Sequence, residues 1–93
     1  MIVGTCLLDL RIPCCRSLKD KRQILKALKE SIRRKYNISV VEIDHHDVWQ
    51  RALIGIAAVS PNTKCANRVI SKVVNAIEAN TRVEVIDYQF EIR

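Results

Sequence analysis

Apolar residues in this chain recur first at every second position, then at every third or fourth, then twice more in short β-branched runs, then again at helical spacing, and finally in strict alternation. Because strands repeat every 2 residues and helices every 3.6, that order alone restricts the fold to very few arrangements. Ile2 to Ile12 reads as a strand with Ile2, Cys6, Leu8, Leu10 and Ile12 on one side and Thr5, Asp9 and Arg11 among those on the other. Pro13, which cannot donate to a sheet ladder, ends it.

Ser17-Leu18-Lys19-Asp20 has the form of a capping box: the Ser17 hydroxyl can accept an amide of the first turn while Asp20 reaches back and favours the positive helix end. A helix follows from about Ser17 to Tyr36, with Leu18, Leu25, Leu28, Ile32 and Tyr36 on its apolar face and Asn37 as its stop. Ile38 to Asp44 and Arg51 to Ser60 are two strand-forming runs separated by His45-His46-Asp47-Val48-Trp49-Gln50, the pattern of a hairpin with a long turn. A second helix is expected over Asn62 to Ala79, presenting Cys65, Ala66, Val69, Val73, Ala76 and Ile77. In the last stretch, Arg82 to Arg93, Ile86, Tyr88, Phe90 and Ile92 alternate with Asp87, Gln89 and Glu91, which predicts a strand with one buried face.

The order β-α-β-β-α-β is the ferredoxin-like arrangement, an α+β sandwich in which two helices cover one face of a four-stranded antiparallel sheet. At 93 residues there is room for a single domain spanning 1–93. The other sheet face is left open, yet Ala52 to Val59 is apolar or small on both sides, with Leu53, Ala57 and Val59 on one and Ile54, Ile56 and Ala58 on the other. A one-sided sheet would alternate with polar residues, so a second copy is expected over that face, a dimer being the simplest oligomer. The same run is the longest uncharged apolar one and falls far short of the ~18 residues of a membrane span. Met1-Ile2-Val3 meets Asp9 and Arg11 too soon for a secretory leader, and a cytoplasmic location without a membrane partner is expected.

Charge is distributed unevenly. Between Arg11 and Lys35 lie ten of the 16 Lys and Arg against two acids, Asp20 and Glu30, a local +8 that leaves the rest of the chain at −2. On the first helix Lys19, Arg22, Lys26, Lys29 and Arg33 recur at three- and four-residue spacing and form one stripe, which Arg16 and Lys21 extend at the helix start. Such a stripe can follow a phosphate backbone, each contact releasing counterions. Domains of this topology that stack bases do so on aromatics of their first and third strands. Here Ile2 to Ile12 and Ala52 to Val59 contain no Phe, Tyr or Trp, so RNA contact is expected through phosphate and shape.

Four cysteines lack the pairing pattern of an exported disulfide framework, and Cys14-Cys15 has no CxxC partner to complete a zinc site. They are expected to be free thiols, with Cys6 and Cys65 acting as small hydrophobes. Asp44 to Arg51 is the densest polar segment. As a metal site it offers His45, His46 and Asp47, although adjacent His residues in an extended strand point to opposite sides and no remote ligand completes the set. As a catalytic site it offers a base without a nucleophile, an oxyanion loop or a phosphate loop. As structure or interface, Trp49 anchors the turn or a partner while Asp44, Asp47 and Arg51 pair with one another or with a second subunit. No catalytic residue, metal ligand set or cofactor is assigned.

Arg11-Ile12-Pro13 with Arg16-Ser17-Leu18-Lys19-Asp20-Lys21-Arg22, together with Asp44-His45-His46-Asp47-Val48-Trp49-Gln50-Arg51-Ala52 and the ending Val83 to Tyr88, resembles the YlxP-like family of small bacterial proteins. That family pairs an R-S-L-K-x-K-R helix start with a D-H-x-D-x-W-Q-R hairpin, and the resemblance extends over the whole chain. It implies a ferredoxin-like domain without an established activity, whose genes neighbour those of translation initiation and ribosome maturation. Cys14-Cys15 departs from the small residues common there. Two functions follow as expectations: a non-enzymatic RNA- or ribosome-associated accessory factor using the basic helix, or an oligomeric small-ligand or metal-binding module built on His45 to Trp49.

Overall fold

The computed structural model describes residues 1–93. Its elements are β1 (Ile2–Arg11), α1 (Leu18–Lys35), β2 (Ser39–Asp44), β3 (Arg51–Ser60), α2 (Thr63–Glu78) and β4 (Glu84–Ile92). The sheet order is β2-β3-β1-β4 with every neighbouring pair antiparallel, and both helices pack on the same face. This is the ferredoxin-like α+β sandwich. β1 is a central strand because both of its edges are paired, running from Ile2↔Ser60 to Arg11↔Arg51 against β3 and from Gly4↔Ile92 to Arg11↔Glu84 against β4.

The core lies between sheet and helices. β1 gives Cys6, Leu8 and Leu10, β3 gives Ala52, Ile54, Ile56 and Ala58, α1 gives Leu25, Leu28 and Ile32, and α2 gives Ile70, Val73, Val74 and Ile77, all buried. Full burial of each large aliphatic side chain contributes about 1.5–3 kcal/mol. Close approach of α2 to β1 depends on Gly4: a Cβ there would sit 3.3 Å from Ala66 Cβ, 3.4 Å from Ile70 Cγ1 and 3.6 Å from the Phe90 ring.

Both helices are capped as their sequences require. Ser17 Oγ accepts from Asp20 N at 3.1 Å, and Asn62 Oδ1 accepts from Cys65 N at 2.9 Å. Asp20 reaches back one residue further than the standard box, its Oδ2 accepting from Arg16 N at 3.3 Å.

The expected phase of β4 is partly wrong. Val83 and Val85 enter the core, whereas Ile86 and Tyr88 are each 49% exposed. At Ile86 the cause is a bulge: Leu10 pairs with Val85 but Asp9 pairs with Asp87, so Ile86 is an extra residue that reverses the alternation. Beyond it Tyr88 and Phe90 return to the helix side, and at this sheet edge only Phe90 packs against the core. A similar irregularity in β2 between Glu42 and Asp44 lays Ile43 across the open face above Gly55.

Candidate nucleic-acid interface

Arg16, Lys19, Arg22, Lys26 and Arg33 are exposed and Lys29 is half-buried, all on or next to α1. The row from Lys19 to Arg33 covers 14 steps along α1, about 21 Å at 1.5 Å per residue. Arg33 donates from Nη2 to the Val40 carbonyl at 2.9 Å, which places the row on the flank of the helix layer nearest edge strand β2. The same bond occupies an edge carbonyl that could otherwise recruit another strand. None of Arg16, Lys19, Arg22, Lys26 and Lys29 forms an ion pair, because the three ion pairs of the molecule are Lys21–Glu42, Arg51–Asp9 and Arg93–Glu91.

Lys21 does not belong to this surface. It is 1% exposed, its Nζ lies 2.8 Å from Glu42 Oε2, and it also donates to the His45 carbonyl. In the series 18, 21, 25, 28, 32 it occupies a position of the apolar face, so its stem runs inward and its ammonium needs buried acceptors. Glu42 occurs on the inward side of β2, paired with Ile54, as the only acid in reach of that ammonium. A charged residue at a core position of each element was the available signal for the pair.

The hairpin is organised around the same contact. His45 adopts φ 67°, and its carbonyl accepts from Val48 N at 3.0 Å as well as from Lys21. Asp44 Oδ1 accepts from His45 N at 2.7 Å, and Ile12 N donates to the Gln50 carbonyl at 2.9 Å. Arg51 pairs with neither Asp44 nor Asp47: its Nη2 donates to both carboxylate oxygens of Asp9, at 3.0 and 2.9 Å, across the β1–β3 ladder. The helix start and the hairpin thus form one clasp, in which the helix start supplies Lys21, the hairpin motif supplies the His45 carbonyl, and β2 just before it supplies Glu42. Within one chain no three His, Cys, Asp or Glu side chains converge on a point where they could hold a metal, and His46, Asp47 and Trp49 are exposed at the tip.

All four cysteines are free, with Cys6 and Cys15 buried and Cys14 exposed. Burial raises the Cys6 thiol from 9.0 to about 11, and Cys15 Sγ donates to the Ser17 carbonyl at 3.0 Å beside the cap.

A second basic row lies on α2, where Lys64, Arg68 and Lys72 are exposed at four-residue intervals. Their even spacing carried the signal, but their dispersal among neutral residues hid it from an argument based on charge density. The two helices together hold eleven Lys and Arg against three acids, whereas strands and loops hold five against seven. One layer is strongly cationic and the other mildly acidic. No helix is long and apolar enough to cross a membrane.

The open sheet face is divided. Leu7, Val41, Ile43 and Val59 are 42%, 55%, 49% and 65% exposed, and a shallow cleft of about 310 Å³ runs over Gly55 and Ala57 between Leu7 and Val41. The β4 side of that face is polar, with Asp87, Gln89, Glu91 and Arg93.

These features define a small ferredoxin-like domain whose helix layer holds the positive charge and whose sheet leaves a half-apolar face uncovered. The chain belongs to the family described as "Protein of unknown function (DUF503)", which matches residues 3–90. It is 37% identical over 68 residues to the "Uncharacterized protein YlxP" of Bacillus subtilis (strain 168), an alignment covering 73% of this chain and 74% of that one. Among solved structures it resembles the de novo designed protein Foldit4 with a TM-score of 0.51 and 13% identity, over 100% of this chain and 94% of the designed one, a likeness of fold alone.

Proposed function

We propose that this protein is a non-enzymatic accessory factor that binds RNA, in the setting of the ribosome, through the outer surface of its helix layer. The observation that carries this reading is the unneutralised row Lys19, Arg22, Lys26 and Lys29, with Arg16 at its head. Like charges one turn apart on a helix cost a few tenths of a kcal/mol each, a cost that phosphate oxygens would reverse. Arg33 serves as a partial contributor because Nη2 is already engaged by Val40.

The test is a salt series of fluorescence-anisotropy titrations with a structured ribosomal RNA fragment. Three to five phosphate contacts give a slope of log affinity against log salt of about −2 to −4.5. The triple variant Lys19→Glu, Arg22→Glu, Lys26→Glu should lose binding while melting like the wild type. Unchanged affinity in that folded variant would sink the reading.

The apolar half of the open sheet supports a second property, self-association into a dimer. With Cα extents of 41 × 21 × 17 Å, a whole face along the long axis projects to roughly 700–860 Å², so a standard interface of ~800 Å² per partner would centre on the apolar half and take in the polar β4 side as well. Charges on that face are of both signs, Arg11, Arg51 and Arg93 against Asp9, Asp44, Glu84, Asp87 and Glu91, which suits a second copy better than a partner of one strong charge. Stacking the two sheets would also leave both cationic helix layers outward. Light scattering should give twice 10.7 kDa for the wild type and 10.7 kDa for Val41→Asp; a monomeric wild type at 100 μM would dispose of it.

A further inference from the structure

A groove of about 260 Å³ lies between α2 and the exposed edge strand β4, on the flank opposite the α1 row. Its walls combine two kinds of side chain. Tyr88 and Phe90 line it from β4, while Asn67, Ser71 and Asn75 line it from successive turns of α2, above Ile70 and Val74. The aromatics are there because the Ile86 bulge turns them back to the helix side beyond the point where the core can cover them. Phe90 is held against the core near Gly4, where no side chain intervenes, and Tyr88 remains half in solvent.

The cationic row of α2 borders this groove. At ~100° per residue, Arg68 and Lys72 follow Asn67 and Ser71 around the helix on the side away from the core, and Lys64 precedes Asn67 by one turn. From the sheet edge outward, the surface therefore presents aromatic rings, then amides and a hydroxyl, then ammonium and guanidinium groups. That sequence matches one unit of an RNA strand taken from base to phosphate. A π-face stacks on a ring, Asn amides supply both donors and acceptors to a base edge, and cations meet the backbone.

We propose that the α2–β4 groove is a binding site for a single unstacked nucleobase of RNA, with Tyr88 as the stacking platform, Asn67 and Asn75 as base-edge partners, and Lys64, Arg68 and Lys72 as contacts to the adjoining phosphates. The choice of ligand class rests on the RNA reading above, but the residues are separate from the α1 row. The site also differs from the base-stacking mode of this topology, which uses β1 and β3.

The experiment compares a fluorescein-labelled oligoadenylate with an abasic strand of equal length and charge, using the intact protein. It adds a titration with free adenosine, followed through the Ile70 and Val74 methyl resonances. The wild type should prefer the oligoadenylate on the order of tenfold, as stacking of one base on an aromatic provides. Tyr88→Ala should remove most of that preference, Tyr88→Phe should retain it, and the salt slope should stay the same in both. Adenosine should shift the two methyl signals. If Tyr88→Ala fails to fold, Asn67→Ala with Asn75→Ala serves instead and should weaken the preference.

Equal, salt-dependent affinity for the two strands would overturn the base site and leave the phosphate reading standing. Binding of neither strand would overturn the RNA reading. In that event the adenosine titration decides the groove by itself, and unmoved Ile70 and Val74 signals would overturn it as well.

Discussion

Lys21 and Lys26 stand on the same helix, five residues apart, and their surroundings could hardly differ more. Lys21 is closed inside the clasp between the helix start and the hairpin, facing Glu42 and the His45 carbonyl. Lys26 projects from the unpaired row into solvent. Within the motifs Lys21 and the His45 carbonyl hold α1 to the hairpin, whereas Arg16, Lys19 and Arg22 of the same helix start, with Lys26 and Lys29 beyond it, stay free to meet a ligand. One sequence signature can thus hold an architectural joint and a surface side by side, told apart only by helical phase.

The largest expected effect tests the joint. Lys21→Met strands the Glu42 carboxylate and removes a donor from the His45 carbonyl, and breaking a buried pair on one side costs about 3–5 kcal/mol. Glu42 keeps some solvent contact, with a side chain 17% exposed, so the lower end is expected in urea denaturation. Adding Glu42→Leu should recover most of the loss, because an apolar pair of similar volume needs no desolvation. If Lys21→Met is as stable as the wild type, the clasp is no joint, and Lys21 returns to the cationic surface.

Two smaller effects sharpen the contrast at either end of the clasp. Ser17→Ala deletes the bond to Asp20 N and should cost about 1 kcal/mol, without altering RNA affinity once the folded fraction is equal. Cys6 adds a pH dependence. Its folded value of about 11 exceeds its ordinary 9.0, so the unfolded chain gives up this proton first and binds fewer protons than the native state. Stability should therefore be fully present below pH 9 and decline as pH rises toward 11. Cys6→Ala, or Cys6→Val where volume matters, should flatten that decline.

The fold was legible because each element announces its period and its ends. Ser17, Asn62 and Pro13 mark boundaries by their hydrogen-bonding chemistry, and the Arg51–Ser60 strand is found at its expected limits. Ile86 is misplaced because a bulge is a property of the pairing between two strands, with no Gly or Pro in Val85-Ile86-Asp87 to betray it. The α2–β4 groove is hidden because alternation gives the side Tyr88 faces but not that β4 is an edge strand, where the helices leave that side half open. Lys21 was misread for another reason. Counting charge treats every Lys alike, whereas its phase with Leu25, Leu28 and Ile32 already set it apart from Lys19 and Arg22.

The smallest effect separates the two lysines at the other end of the scale. Lys26→Ala removes no contact within the molecule, and a substitution of an exposed residue for a good helix former should change stability by less than about 0.5 kcal/mol. Its signature belongs to binding: loss of one phosphate contact lowers the magnitude of the salt slope by about 0.7 to 0.9, depending on whether the RNA is single-stranded or duplex. Lys21→Met should do the reverse, with a large change in stability and an unchanged slope. A reduced slope in both variants would mean that Lys21 reaches phosphate when the clasp opens, so that α1 and the hairpin move apart on binding and the joint is itself part of the interface.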